Sequence, residues 1–226
     1  MSRTEQRGLY LALDGVLAES QAAMQRAFAD FAEQFGHQVS AGDFASLSGP
    51  PVPILVATLK RCWALPQKLD ELIHAYNGRI DSAFLEIPAT PGAAATLEAA
   101  FGRGFKVGVV TSNASARARL WLARQGLMKF VDVVVGGDDV CLGKPDPEPY
   151  LMALARSRCL RQYSIAVEDS PQGARSALAA GLRVFGYVHG DQAAAEWPDS
   201  VRLISAIDEL VPEVTRARLR RAGALR

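Results

Sequence analysis

Lys106-Val107-Gly108-Val109-Val110 runs straight into Thr111-Ser112-Asn113, so a short apolar, β-branched stretch ends in three small polar residues. It is too short for a helix and does not alternate apolar with polar, the signature of a strand buried on both faces. Helical patterns flank it at 92–102 and 114–125. Further on, strands at Val131–Val135, Ser164–Val167 and Arg183–Phe185 alternate with helices at 146–157 and 171–180, and a last helix is expected near 205–221. Repeated βαβ units with apolar strands predict a parallel sheet covered by helices on both faces. In the other direction, Leu9-Tyr10-Leu11-Ala12-Leu13 is a further strand of the same type, closed by Asp14-Gly15.

Between that first strand and the others, no strand is readable. A helical pattern from Glu19 to Phe35 carries Met24, Ala27, Phe28 and Phe31 on one face, and 40–85 is helical throughout, broken by Pro50-Pro51, Pro53 and Pro66. The expected fold class is therefore α/β: a three-layer Rossmann-like parallel-sheet core, residues 1–17 and 88–226, with an inserted all-helical cap, residues 18–87. A length of 226 residues, awkward for one average domain and short for two, suits a core interrupted by such an insertion.

Composition excludes several classes. With 49% apolar residues and a net charge of +1, the chain is neither disordered nor a dedicated nucleic-acid binder, which needs a basic excess. The basic tail, Arg216, Arg218, Arg220, Arg221 and Arg226, reads as a solvated helix end. Cys62, Cys141 and Cys159 are odd in number and have no C-x-x-C spacing, so reduced thiols are expected rather than disulfides or a zinc site. The polar start, Met1–Gly8, and the lack of any apolar run of about 18 residues point to a cytoplasmic protein with no membrane partner, a monomer or homodimer.

In an open parallel sheet, ligands bind beyond the carboxyl ends of the strands. Those ends carry Asp14-Gly15, Thr111-Ser112-Asn113 and Glu168-Asp169-Ser170, and between the last two lies Gly143-Lys144-Pro145-Asp146-Pro147, expected to hold Lys144 at a helix start. Three carboxylates, a hydroxyl and a lysine are what a phosphate and a hard divalent cation such as Mg²⁺ require. Each alone has an ordinary reading as a turn, a helix N-terminus or a surface lysine. Their recurrence at one end of successive strands is what points to a site.

Asp14-Gly15-Val16-Leu17, Val109-Val110-Thr111-Ser112-Asn113, Gly143-Lys144-Pro145-Asp146-Pro147 and Val167-Glu168-Asp169-Ser170-Pro171-Gln172-Gly173 together resemble the four motifs of the haloacid dehalogenase-like superfamily. More narrowly, they are similar to its phosphatase and phosphomutase branch, with a helical cap after the first motif. The resemblance implies Mg²⁺-dependent hydrolysis of a small phosphorylated metabolite through an aspartyl-phosphate. On it, Asp14 matches the acid/base. Thr111, with Ser112 and Asn113, and Lys144 match the phosphate-binding residues, while Asp14, Glu168 and Asp169 match the metal-binding set.

The family's first motif reads D-x-D-G, and its first Asp is the nucleophile. Here that position is Ala12, and Leu11 and Leu13 beside it are apolar too. A nearly inactive phosphatase is expected, either as an enzyme with its nucleophile exchanged or as a pseudoenzyme that binds a phosphorylated ligand or protein partner. A sugar phosphomutase is a further alternative, disfavoured because the cap positions that serve it fall on Met24 and near Val52. Sugar phosphates, sugar-acid phosphates and phosphoglycolate are the expected substrates. Arg79, Lys60, Arg61 and His74 are the polar cap residues that could touch one. His37 and His189 read as loop residues, and Trp63, Trp121 and Trp197 as packing within helical stretches. Gly102-x-Gly104 precedes a strand and is a turn, not a dinucleotide fingerprint.

Overall fold

The structure, a computed structural model, describes residues 6–47, 50–84, 86–188 and 196–216. Strands Gly8–Leu11 (β1), Lys106–Val110 (β2), Val133–Val135 (β3), Ile165–Glu168 (β4), Arg183–Tyr187 (β5) and Arg202–Ile204 (β6) form one sheet in the order β3-β2-β1-β4-β5-β6, and every neighbouring pair is parallel. The first four strands are buried along nearly their whole length, as their unbroken apolar runs require. The chain reverses its direction of winding between β1 and β4, so the crevice at their carboxyl ends is the place where an open sheet binds ligands.

Helices Gln21–Gln34 (α1), Ala41–Leu47 (α2), Val52–Cys62 (α3) and Leu69–Phe84 (α4) form the insert between β1 and β2. Ala93–Gly102 (α5), Ser115–Arg124 (α6), Glu148–Ser157 (α7), Pro171–Ala179 (α8) and Val211–Arg216 (α9) belong to the core. Pro51 precedes α3 and Pro53 stands in its first turn, where a missing N–H costs least. Two neighbouring chain segments join insert and core: Glu19 N donates to Pro88 O at 3.1 Å, and Thr90 N to Leu17 O at 2.8 Å. The apolar core runs through both parts, from Leu9 and Leu11 of the sheet to Phe28, Val56 and Tyr76 of the insert.

The C-terminal part departs from expectation. Instead of one helix over 205–221 there is an edge strand at 202–204, a short 3₁₀ turn at Ile207–Leu210 and helix α9. Three residues, of which Ile204 alone is buried, carry too little pattern to announce a strand. Arg218, Arg220, Arg221, Arg226 and His189 lie outside the described residues. Lys144 is not at a helix start either: α7 begins at Glu148, and Lys144 lies in the turn that leads to it. Among the described residues no helix is long and apolar enough to cross a membrane.

Candidate active site

Asp14 follows the end of β1 and begins a tight loop in which Gly15 N donates to Ala18 O at 3.0 Å. Gly15 has φ +67°, and a Cβ on it would stand 2.4 Å from Oδ2 of Asp169, so the loop tolerates only glycine there. The turn thereby brings Asp14 beside the residue that follows β4. Thr111 Oγ1 donates to Asp14 Oδ2 at 3.3 Å, and Asn113 Nδ2 donates to the same oxygen at 2.7 Å. Asp14 Oδ1 is buried and has no hydrogen-bond partner among the described residues.

Glu168 is fully buried. Its Oε1 is paired with Lys144 Nζ and accepts the hydroxyl of Tyr150, while Oε2 has no partner among the described residues. Gly173 makes room for this carboxylate, since a Cβ at that position would be 2.0 Å from Oε2. The Tyr150 hydroxyl is driven well above its ordinary pKa by burial and by the Glu168 charge, so it donates as a neutral phenol. Lys144 also donates to Val110 O at 3.3 Å, which leaves one of its three N–H groups for an anion. The Asp169 carboxyl is pushed up to about 7, chiefly by burial and next by the Glu168 charge; Asp14 adds to the rise and Lys144 opposes it. Ser170 caps α8, its hydroxyl accepting from Gly173 N at 3.1 Å, which aims the chain after β4 toward the crevice.

The structure thus brings Ala12, Asp14, Thr111, Ser112, Asn113, Lys144 and Asp169 onto the wall of one cavity of about 560 Å³, with Glu168 directly behind Lys144. Ala12 stands where the ladder ends, its N–H donating to Val167 O at 2.9 Å, and its methyl group presents nothing that could attack or ligate. The insert closes the other side of the cavity. Of the cap residues expected to reach a substrate, none lines it. Lys60 instead donates to Leu65 O and Gln67 O, each at 2.6 Å, and Arg79 donates to Gln34 Oε1 at 2.7 Å. Arg61 and His74 are exposed.

Three participants escaped the sequence reading. Arg117, buried, donates to Asn113 Oδ1 at 2.8 Å, to Asp81 Oδ1 at 2.6 Å and to Asn77 Oδ1 at 2.9 Å, joining the partner of Asp14 to α4 of the insert. The four-residue spacing of Asn113 and Arg117 on a helical pattern was the available signal. Tyr150 gave none. Trp197, expected as packing in a helix, lies outside any helix; it does pack against the core beside Gly186 and also lines the cavity. The other two tryptophans pack as expected: Trp121 is buried with Nε1 donating to Ile87 O at 2.9 Å, and Trp63 stacks on His37.

The donor set suits a hard divalent cation. Two buried carboxylate oxygens lack partners, and Asp169 sits among like charges whose repulsion a cation would relieve. Among the described residues no three Asp, Glu, His or Cys side chains converge into a complete cage. Magnesium does not need one, since it is commonly held by one or two carboxylates together with substrate phosphate and water.

Fold and site together define an α/β protein with a carboxylate- and lysine-bearing crevice at the switch point of a parallel sheet, roofed by a helical insert. The family model of haloacid dehalogenase-like hydrolases matches residues 12–187, and the chain belongs to that family. It is 32% identical over 182 residues to the phosphorylated carbohydrates phosphatase of Thermotoga maritima, covering 78% of this chain and 83% of that one. To the plasmid-borne phosphoglycolate phosphatase of Cupriavidus necator it is 31% identical over 191 residues, 79% of each chain. The fold resembles that of Rhodobacter sphaeroides CbbY in complex with phosphate, with a TM-score of 0.80 over 92% of this chain and 96% of that one at 24% identity.

Proposed function

We propose that this cavity is the active site of a Mg²⁺-dependent phosphomonoesterase for a small phosphorylated metabolite, in which Ala12 occupies the place of the attacking carboxylate. The observation that carries this reading is the convergence of Asp14, Thr111, Asn113, Lys144 and Asp169 on one cavity at the β1/β4 crevice. Relatives named for phosphorylated carbohydrates and for phosphoglycolate support a small phosphorylated metabolite as the substrate class.

In this reading Thr111, Ser112, Asn113 and Lys144 hold the phosphoryl oxygens, Lys144 by the N–H that its two protein partners leave over. Asp14 and Asp169 would hold the metal with Glu168 behind them, and a bound Mg²⁺ would neutralise charge on the phosphoryl oxygens. Asp14 is oriented by Asn113 and Thr111 through Oδ2, which leaves Oδ1 to meet the metal or, when protonated and off the metal, to give its proton to the departing ester oxygen. With a carboxylate at position 12, an oxygen–phosphorus bond would form there as the ester bond breaks, and water would later release phosphate. With alanine that first bond cannot form, and turnover should be about 10⁴–10⁶-fold below that of a complete site. Neither Met24 nor Val52, both on the cavity wall, can serve the acid/base and second-phosphate roles of a mutase.

The test is Ala12→Asp, assayed beside the unaltered chain for phosphate release from a panel of phosphomonoesters with Mg²⁺. A gain of at least about 10³-fold on one or more substrates is expected. No gain on any substrate would turn the assignment toward a protein that binds a phosphorylated ligand without cleaving it. Rapid Mg²⁺-dependent turnover by the Ala12 chain would remove alanine as the limiting feature.

A further inference from the structure

A phosphatase chooses among phosphate esters by what its cavity offers the alcohol end, because every substrate shares the same phosphate. Here that end of the cavity is lined by Met24 of α1, Phe44 of α2, Val52 and Leu55 of α3, and Tyr76 and Ile80 of α4. Among the described residues no Lys, Arg or His of the insert lines it, and Lys144, on the opposite wall, is the cation that faces the cavity. The floor already holds two carboxyl groups, Asp14 and Asp169.

The start of α3, which approaches the cavity at Pro50 and Val52, offers little in place of a cation. Pro53 has no N–H, and the amides of Ile54 and Leu55 both donate to Pro51 O, at 2.9 and 3.1 Å. A carboxylate or second phosphate at the alcohol end would therefore be stripped of water against methyl, thioether and aromatic groups without an ion partner, a costly transfer. On the insert's side, polar contact comes from the beginning of α1 and from the hydroxyl of Tyr76, and all of it is uncharged. Gln21 and Gln25 line the cavity, Ser20 is buried to 1% exposure with its hydroxyl lacking a partner among the described residues, and Ser170, Gln172 and Trp197 add neutral polar groups from the core. These can hydrogen-bond neutral groups on a ligand.

We infer that the substrate is the phosphate monoester of an uncharged, largely apolar alcohol, with a ring or alkyl body seated against Met24, Phe44, Val52, Leu55, Tyr76 and Ile80. This deepens the phosphomonoesterase reading and rests on it. It departs from phosphoglycolate and sugar-acid phosphates, whose carboxylate would meet no cation of the insert among the described residues, and from sugar phosphates, several of whose hydroxyls would lie against those apolar side chains.

Because Ala12 leaves the phosphate ester uncleaved, the unaltered chain can be titrated by calorimetry in the presence of Mg²⁺. The probes are inorganic phosphate, phenyl phosphate, glucose 6-phosphate and phosphoglycolate. Phenyl phosphate should bind roughly tenfold or more tightly than inorganic phosphate, through apolar area buried in the cavity. It should also exceed phosphoglycolate and glucose 6-phosphate by roughly tenfold. Met24→Gln, which keeps the length of the side chain and adds no charge, should weaken phenyl phosphate more than inorganic phosphate and so shrink that preference. If phosphoglycolate or glucose 6-phosphate binds as tightly as phenyl phosphate, the substrate assignment is overturned and the phosphate site stands. If none of the four binds, the phosphate site itself is overturned and the assignment falls with it.

Discussion

Asp139 shows how a single residue supports the loop after β2, for which phosphate binding is proposed, without hydrogen-bonding to it. Its carboxylate accepts from Arg156 at 2.8 Å and from the Gly136 amide at 2.9 Å, and Gly137 N in turn donates to Asn113 O at 2.8 Å. Thus the turn after β3 is clamped behind Ser112 and Asn113. The Arg156 hydrogen bond, against the pull of burial and aided by the Gly136 amide, holds the Asp139 carboxyl below its ordinary value of 3.8. A depressed folded-state pKa means that the ionised form stabilises the fold above about pH 4. That contribution is lost as pH falls through the folded value. Asp139→Asn should therefore cost about 0.5–1.5 kcal/mol at pH 7, a fall in Tm of roughly 2–4 °C, and the gap should close near pH 3. Paired thermal melts at the two pH values check this, and an equal gap at both would show that the ionic contribution is negligible. At this scale the sequence was informative about chemistry and silent about support. That Asp14, Thr111 and Asp169 meet at one cavity was readable because each follows the end of a strand, whereas Lys144, expected at a helix start, reaches the same cavity from a turn. Asp139 and Tyr150 look like any loop acid and any helix tyrosine until their distant partners are known.

Among the elements, helix α6 links the two halves of the cavity. Arg117 reaches from it to Asn77 and Asp81 on α4, residues 40 and 36 positions away, and its remaining donor holds the Asn113 side chain that orients Asp14. An arginine buried to 9% exposure between two elements needs partners for its donors, and each of its three nitrogens has one. Arg117→Met keeps the aliphatic stem and removes the fork, leaving Asn113 Oδ1 and Asn77 Oδ1 without their donor. A loss of about 2–3 kcal/mol in denaturant unfolding is expected, with Arg117→Lys recovering part of it. A change under about 0.5 kcal/mol would mean that water replaces the guanidinium without penalty. The helix itself was legible over 114–125, yet the burial of Arg117 was not, because its partners belong to an insert whose docking no local pattern encodes. Packing inside the sheet has the same character. Gly108 lies opposite Tyr10 in the β1–β2 register, and a Cβ there would meet the Tyr10 ring at 2.5 Å, so this strand glycine makes room for an aromatic residue on its neighbour.

At the scale of the whole molecule, the parallel sheet and the insertion point follow from where apolar runs and Gly turns fall along the chain, whereas the order of the strands and the edge strand at Arg202–Ile204 do not. Periodicity could not supply the lining of the cavity, because which face of α1, α3 and α4 meets the core depends on how the insert sits, and amphipathic helices advertise only that they have an inner face. The same docking decides stability. Apolar contact is continuous from Leu9 and Val107 in the sheet through Ile87, Phe84 and Tyr76 to Phe28 and Phe31 in the insert. Trp121 of α6 donates to Ile87 O, at the point where the chain returns from the insert to the core. An insert joined by two adjacent crossings, a shared apolar cluster and a buried arginine has no plane along which it could melt alone without exposing that cluster. Unfolding should accordingly be one cooperative transition, with equal calorimetric and van't Hoff enthalpies and coincident loss of tryptophan fluorescence, from Trp63 in the insert and Trp121 in the core, and of far-ultraviolet helicity. Arg117→Met should lower that single transition without splitting it. Two resolved transitions in the unaltered chain, the smaller one matching the helices of the insert, would show that insert and core are independent folding units and that the cavity between them is assembled by docking after each has folded.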